Sequence, residues 1–263
     1  MYDEHIYIVH RIPIYYMYMK SKSTFGRSTS ALKRTVIGLA IILFIAPTAC
    51  SQSLSVSVLG DSYSTFDGYI TPSTNETWYY QGNRGNNDVS DVTQTWWWQF
   101  INNNGLRLCV NNSWSGATIG YYGYDGNDYS ARSFITRSDN LGCPDVILIF
   151  GGTNDSWAGA PIGAYKYDKL RRDDYFFYRP ALAHLLEHMK KRYPNVELVF
   201  MINSELSDDV TESTKTICDH YGVHWILLHD IDKQSGHPSQ KGMKAIATQL
   251  TEKFKDWKLL KDE

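Results

Sequence analysis

The sequence predicts one α/β domain, a five-stranded parallel sheet covered by helices on both sides in a three-layer α/β/α sandwich. Three observations carry this. From Ser55 onward, short apolar runs alternate with segments of helical period, with no linker or repeat between them. The run Asp145-Val146-Ile147-Leu148-Ile149-Phe150 is continuously apolar, as a strand buried on both faces must be. Residues of nucleophile or hydrogen-bond-donor type stand just after separate strands, where parallel sheets open their site-forming loops.

Residues 1–50 stand apart from that domain. Lys33-Arg34, the apolar run Thr35 to Ala46 and Pro47-Thr48-Ala49-Cys50 follow the order of a secretory signal. At about a dozen residues the apolar run is short of the ~20 that span a bilayer. Residues 1–27 are rich in tyrosine, and a start at Met17 or Met19 would give a signal of ordinary length. Cys50 after Thr-Ala resembles the lipid-modified cysteine of bacterial lipoproteins, so lipid attachment and plain cleavage nearby both stay open. The expectation is a domain over 51–263 that is exported, whether periplasmic, outer-membrane-anchored or extracellular. Its only membrane contact would be that lipid.

The elements follow in order. The first strand, from Ser55 to Leu59, alternates and stops at Gly60-Asp61-Ser62. A polar insertion over 67–91 is too long for a tight turn and reads as site rim. A helix is predicted over 93–104 with Gly105 as its stop, a second strand over 106–112, and a second helix over 128–141. After the strand 145–150 comes a long helix over 173–192, with Pro180 marking its true first turn or a kink. A strand over 196–202, a helix over 208–221 ended by Gly222, a strand over 223–228 and a helix over 239–259 complete the alternation.

Composition narrows the function. The 263 residues are 43% hydrophobic and 14% aromatic, enough for a full core, and the formal net charge is −2. No basic stripe marks the globular part, so no nucleic-acid partner is expected. Cys109, Cys143 and Cys218 show no C-x-x-C spacing and read as small hydrophobes with one pair at most. His184-Leu185-Leu186-Glu187-His188 matches a zinc-binding helix motif, but a solvated helix face accounts for it, and neither metal nor organic cofactor is expected. Of Trp96-Trp97-Trp98, one or two rings belong to the core, and an exposed one could stack on a sugar.

A serine placed at the end of a strand is a candidate nucleophile, and Ser62 holds that place. Gly116 follows the second strand, Asn154 the third and His237 the fifth, so all four loops open on one sheet edge. The blocks Gly60-Asp61-Ser62, Asn112-Ser113-Trp114-Ser115-Gly116, Gly151-Gly152-Thr153-Asn154-Asp155 and His237-Pro238 together resemble the SGNH (GDSL-type) hydrolases, serine esterases and lipases with a flavodoxin-like sheet. Order and spacing agree over nearly all of 54–255.

The resemblance implies Ser62 as nucleophile and His237 as its base. It implies an oxyanion hole of the Ser62 and Gly116 amides and the Asn154 side chain. One position departs: the aspartate usual three residues before the histidine is here Gln234. Asp232 is the first choice to orient His237 and Asp230 the second, with Gln234 or a main-chain carbonyl as the other options. Asp155 reads as a cap or loop brace, and His229 as a packed or solvated residue. Trp114, Tyr121, Tyr122 and Trp157 are the expected substrate wall. The function expected is hydrolysis of carboxylic esters, O-acetyl groups on carbohydrate first, on a small-molecule or glycan substrate. A lipase or thioesterase of the same fold would share every catalytic residue. A carbohydrate-binding protein whose catalysis lapsed with the displaced acid is the alternative from another class.

Overall fold

The computed structural model describes residues 53–82, 85 and 87–260, so the expected signal segment and Cys50 lie outside the described residues. Strands β1 (Ser55–Gly60), β2 (Arg107–Ser113), β3 (Val146–Gly151), β4 (Glu197–Ile202) and β5 (His224–Leu227) form one sheet. Their order is β2-β1-β3-β4-β5, and every neighbouring pair is parallel. Strand order reverses beside β1, which opens a crevice at the carboxyl ends of β1 and β3.

Six α-helices are described: α1 (Trp96–Asn103), α2 (Phe134–Arg137), α3 (Thr153–Trp157), α4 (Tyr178–Arg192), α5 (Asp208–Tyr221) and α6 (Gln240–Asp256). The two-residue period of β3 divides them into two layers. Val146, Leu148 and Phe150 pack with Trp96, Trp97 and Phe100 of α1 and with Met243, Ile246, Leu250 and Phe254 of α6. Ile147 and Ile149 turn to the other face, against Leu182, Leu185, Leu186 and Met189 of α4 and Ile217 of α5. Both faces are covered, which is why the run carries no polar alternation. Each such aliphatic side chain contributes roughly 1.5–3 kcal/mol by leaving water.

Three helices differ from expectation. The one predicted over 128–141 is the single turn α2, because Tyr193 of the α4 terminus intrudes. Its hydroxyl donates to Ser138 O at 2.8 Å and accepts from Leu141 N at 3.2 Å, taking backbone groups that a longer helix would need. The long helix starts at Tyr178: Arg172–Phe176 is a 3-10 turn, Phe177 is extended, and Pro180 falls in the first turn, where its missing N–H costs nothing. The last helix ends at Asp256, with Lys258 at a φ of 58°. A short antiparallel hairpin of β6 (Lys233–Gln234) and β7 (His237–Pro238), which no sequence pattern announced, precedes α6. Cys109 and Cys143 are exposed and Cys218 is buried, all as free thiols.

Candidate active site

Ser62 opens the 3-10 turn Ser62–Ser64 directly after β1. The turn is capped by Asp61, whose carboxylate accepts from Tyr63 N at 3.0 Å. From α1, Trp96 and Trp97 donate their indole N–H groups to Tyr63 O and Ser64 O, each at 3.1 Å. That is why two of the three consecutive tryptophans are buried, while Trp98 stays partly buried against Tyr69. The buried Arg137 guanidinium joins the two strand ends: Nη2 donates to Gly60 O at 3.1 Å, Nη1 to Asn112 O, and Nε to Arg132 O at 2.8 Å. Burial pushes Arg137 and Asp61 each toward the neutral form, and their mutual attraction opposes that push.

The β6–β7 hairpin brings His237 to the serine. His237 Nε2 lies 2.9 Å from Ser62 Oγ, and Nδ1 lies 3.0 Å from the Ser235 carbonyl. A carbonyl oxygen only accepts, so Nδ1 carries the hydrogen and Nε2 presents its lone pair to the serine hydroxyl. Asp232 does not orient the ring. Its carboxylate accepts from Ser239 Oγ, and its carbonyl accepts from Ser239 N at 3.0 Å. Asp230 pairs with His229 at 2.9 Å, and Gln234 Oε1 accepts from Asp88 N at 2.8 Å. The cause is local: Ser235 and Gly236 have φ of 51° and 76°, which turns the chain back so that the Ser235 carbonyl faces Nδ1.

His237 is 5% exposed. Trp78 stacks on it at 3.6 Å between ring centroids and 7° between planes, and Tyr63 and Trp157 approach at 5.2 and 6.0 Å. This burial brings His237 from the ordinary 6.5 down to about 4; the Ser235 carbonyl opposes the shift and Lys233 adds to it. The insertion over 67–91, expected as rim, also clasps the hairpin. Tyr79 Oη donates to Pro238 O at 2.8 Å, and Asn87 Nδ2 lies 3.1 to 3.3 Å from the carbonyls of Gln234, His237 and Pro238. From the Ser62 turn, Tyr63 Oη donates to Gly236 O at 2.6 Å.

Gly116 lies in the turn after β2, closed by Ala117 N to Trp114 O at 3.1 Å, with a φ of 77° that disfavours any side chain. Asn154, second residue of α3, is 3% exposed. Its Nδ2 donates to Ala117 O at 2.9 Å, and its Oδ1 accepts from Tyr124 Oη at 2.8 Å. The backbone amides of Ser62 and Gly116 have no hydrogen-bond partner among the described residues. Asp155 braces the same loop, accepting from Ile119 N at 2.9 and 3.1 Å.

Of the four expected wall residues, the structure sets Trp157 at the imidazole, 46% exposed. The other three make their recorded contacts elsewhere. Tyr121 packs on Tyr175 and Phe176, Tyr122 bridges to Asp128, and Trp114 is partly buried in the α4-side core with Arg132 over its ring. His188 pairs with Asp139 at 2.7 Å, His184 with the Tyr175 hydroxyl, and Glu187 with Lys191. No cluster fit for a metal exists among the described residues. Sequence reasoning missed Trp78 and the role of Tyr124, and offered a main-chain carbonyl for His237 without naming Ser235. The only hints were an aromatic inside a polar insertion and a third tyrosine in a glycine-rich run.

A parallel α/β sheet gathering a serine, a histidine and amide donors at its carboxyl edge defines the class, a hydrolase. The GDSL-like lipase/acylhydrolase family model matches residues 54–254, and the chain belongs to that family. It is similar to a Bacteroides ovatus protein described as a GDSL-like lipase, with 56% identity and a TM-score of 0.77 over 78% of this chain and 99% of that one. A Bacteroides uniformis protein of the same description shares 52% identity at a TM-score of 0.76, covering 78% and 97%. A family two carbohydrate esterase from Clostridium thermocellum, solved in complex with cellohexaose, shares the fold alone: 14% identity, a TM-score of 0.54, and 78% and 65% covered. No curated protein matches the chain.

Proposed function

We propose that this hydrolase is a serine esterase that removes short acyl groups, acetyl first, from hydroxyls of carbohydrate. The observation that carries the reading is the 2.9 Å contact of Ser62 Oγ with His237 Nε2, with Nδ1 already engaged by the Ser235 carbonyl. In this reading Ser62 Oγ attacks the ester carbonyl while Nε2 takes its proton. The oxyanion that forms is met by the Ser62 and Gly116 amides and by the second N–H of Asn154 Nδ2. As the tetrahedral intermediate collapses, His237 returns the proton to the leaving alcohol, and water then hydrolyses the acyl-serine by the same sequence. Support for a sugar comes from the exposed Trp157 ring beside the imidazole, a flat face suited to stacking, and from the polar rim over 67–91. The signal-like order of residues 33–50 supports export, with a lipid on Cys50 as the anchor.

The alternative of a lapsed, sugar-binding scaffold draws on the missing carboxylate. The test compares the purified protein with its Ser62→Ala variant on 4-nitrophenyl acetate, on longer-chain 4-nitrophenyl esters and on acetylated xylan. The expected result is acetate release by the parent, a loss of several orders of magnitude in the variant, and declining rates with acyl length. Equal rates in parent and variant refute the serine mechanism. A preference for long chains refutes the acetyl reading in favour of a lipase, and an inactive parent that resists fluorophosphonate labelling favours the binding protein.

A further inference from the structure

We infer that Tyr124 is a positioning residue for catalysis, holding the Asn154 amide so that its free N–H faces the oxyanion; this rests on the serine-esterase reading above. The Asn154 amide is anchored at both ends. Ala117 O has no hydrogen to give, so the nitrogen must be the end beside it, and one Nδ2 hydrogen is spent there at 2.9 Å. Oδ1 at the other end takes the Tyr124 hydroxyl at 2.8 Å. Two hydrogen bonds to opposite ends of one amide leave a single rotation about the side chain. The remaining Nδ2 hydrogen is thereby aimed, and donation into Oδ1 polarises it further.

The chain invests a rigid device in placing that hydroxyl. Tyr124 opens a tight turn closed by Gly123 N to Asn127 O at 2.9 Å and Gly126 N to Gly123 O at 3.2 Å. Asn127 ties the Tyr124 carbonyl twice, from its backbone at 3.1 Å and its side chain at 2.9 Å. Asp125 takes a left-handed φ of 57° to complete the turn. Tyr129 packs so close that a Cβ on Gly123 would stand 2.2 Å from its ring. Outside the turn, Tyr122 bridges to Asp128, and Asp128 is paired with Arg172 at 3.0 Å. Burial raises the Tyr124 hydroxyl to about 12, so it stays a donor across the working range. No hydrogen bond or ring contact joins Tyr124 to Ser62 or His237 among the described residues, so its effect on the reaction passes through Asn154.

The test is a double-mutant cycle on 4-nitrophenyl acetate with the purified parent, Tyr124→Phe, Asn154→Ala and the double variant, beside Ser62→Ala. Phenylalanine keeps the ring and removes only the hydroxyl. The expected result is a fall in kcat of about 10²- to 10³-fold for Asn154→Ala. Tyr124→Phe should lose about threefold to tenfold in kcat at unchanged KM, the size of one neutral hydrogen bond. In the Asn154→Ala background the second change should cost nothing more, because the amide it orients is gone. Parental kcat in Tyr124→Phe overturns the inference, as does an equal loss in both backgrounds or an effect on KM alone, which marks a substrate contact. If Asn154→Ala keeps parental kcat while Ser62→Ala is dead, the inference falls and the serine nucleophile stands. If Ser62→Ala matches the parent, the esterase reading itself falls.

Discussion

The buried imidazole makes a quantitative statement about pH. Lowering His237 from 6.5 to about 4 means a penalty of about 3 kcal/mol on the imidazolium. In the proposed mechanism His237 acts as base when neutral, so kcat/KM should stay flat from neutrality down to about pH 5 and fall as pH drops through about 4. The nearest aromatic ring on the imidazole is Trp78, stacked at 3.6 Å. Trp78→Leu admits water to that face and should move the acid limb up by about one pH unit. It should also lower kcat by roughly two- to twelvefold, the value of a lost aromatic pair of about 0.5–1.5 kcal/mol. The assay is the initial rate of 4-nitrophenyl acetate hydrolysis from about pH 3.5 to 8, read at the isosbestic wavelength of the product. The same burial acts on folding: between 6.5 and about 4 the unfolded chain binds a proton that the folded one refuses. The stability this site contributes is therefore complete above 6.5 and is lost as pH falls toward 4. A parental acid limb near 6.5, or a variant limb that does not rise, refutes the reasoning.

Asp232→Asn should keep kcat within a few-fold of the parent, where loss of a triad aspartate costs about 10⁴. Its measurable effect should be a fall in Tm, because Asp232 fixes the Ser239 hydroxyl that caps α6. Arg137→Met removes a donor from the Asn112 carbonyl and one of the two donors of the Gly60 carbonyl, which keeps Trp114 N, and should cost about 1–3 kcal/mol, read as a lower denaturation midpoint in guanidinium chloride. Prolonged dialysis against a chelator should leave esterase activity unchanged, since His184, Glu187 and His188 are engaged by Tyr175, Lys191 and Asp139. Activity lost to chelation and restored by zinc would overturn that assignment.

The sheet was legible because burial on two faces writes itself as uninterrupted apolar sequence, and Val146 to Phe150 has no other use for its composition. Where a helix is short and held by a distant side chain, pattern fails. The segment 128–141 has helical spacing, yet the hydroxyl of Tyr193, more than fifty residues on, takes the backbone groups a longer helix needs. Ser62, Gly116 and Asn154 were nameable because each stands just past a strand end, and His237 because its His-Pro pair completes the four blocks of the family resemblance. Trp78, Tyr124 and Ser235 were not, since their roles arise from loops whose shape no period encodes. The error at Asp232 has the same origin. The two successive positive φ angles at Ser235 and Gly236 bring the Ser235 carbonyl to Nδ1, and not the Asp232 carboxylate, which lies on Ser239.

A carboxylate beside a catalytic histidine does two things: it fixes the tautomer and it stabilises the imidazolium. Here the Ser235 carbonyl fixes the tautomer, and the Trp78 stack fixes the plane. The second task is met only by a neutral dipole, weaker than an anion. Lys233 works against it. In the proposed mechanism, proton transfer from Ser62 to such a base is therefore costly, and the barrier it adds is tolerable only where the carbonyl is reactive and the leaving group departs readily. Esters meet that condition and amides do not. The comparison that reads it is 4-nitrophenyl acetate against 4-nitroacetanilide, same acyl group and chromophore. Turnover of the ester with none of the anilide is the expected outcome, and cleavage of both at similar rates would mean that the imidazolium has a stabilising partner this geometry lacks.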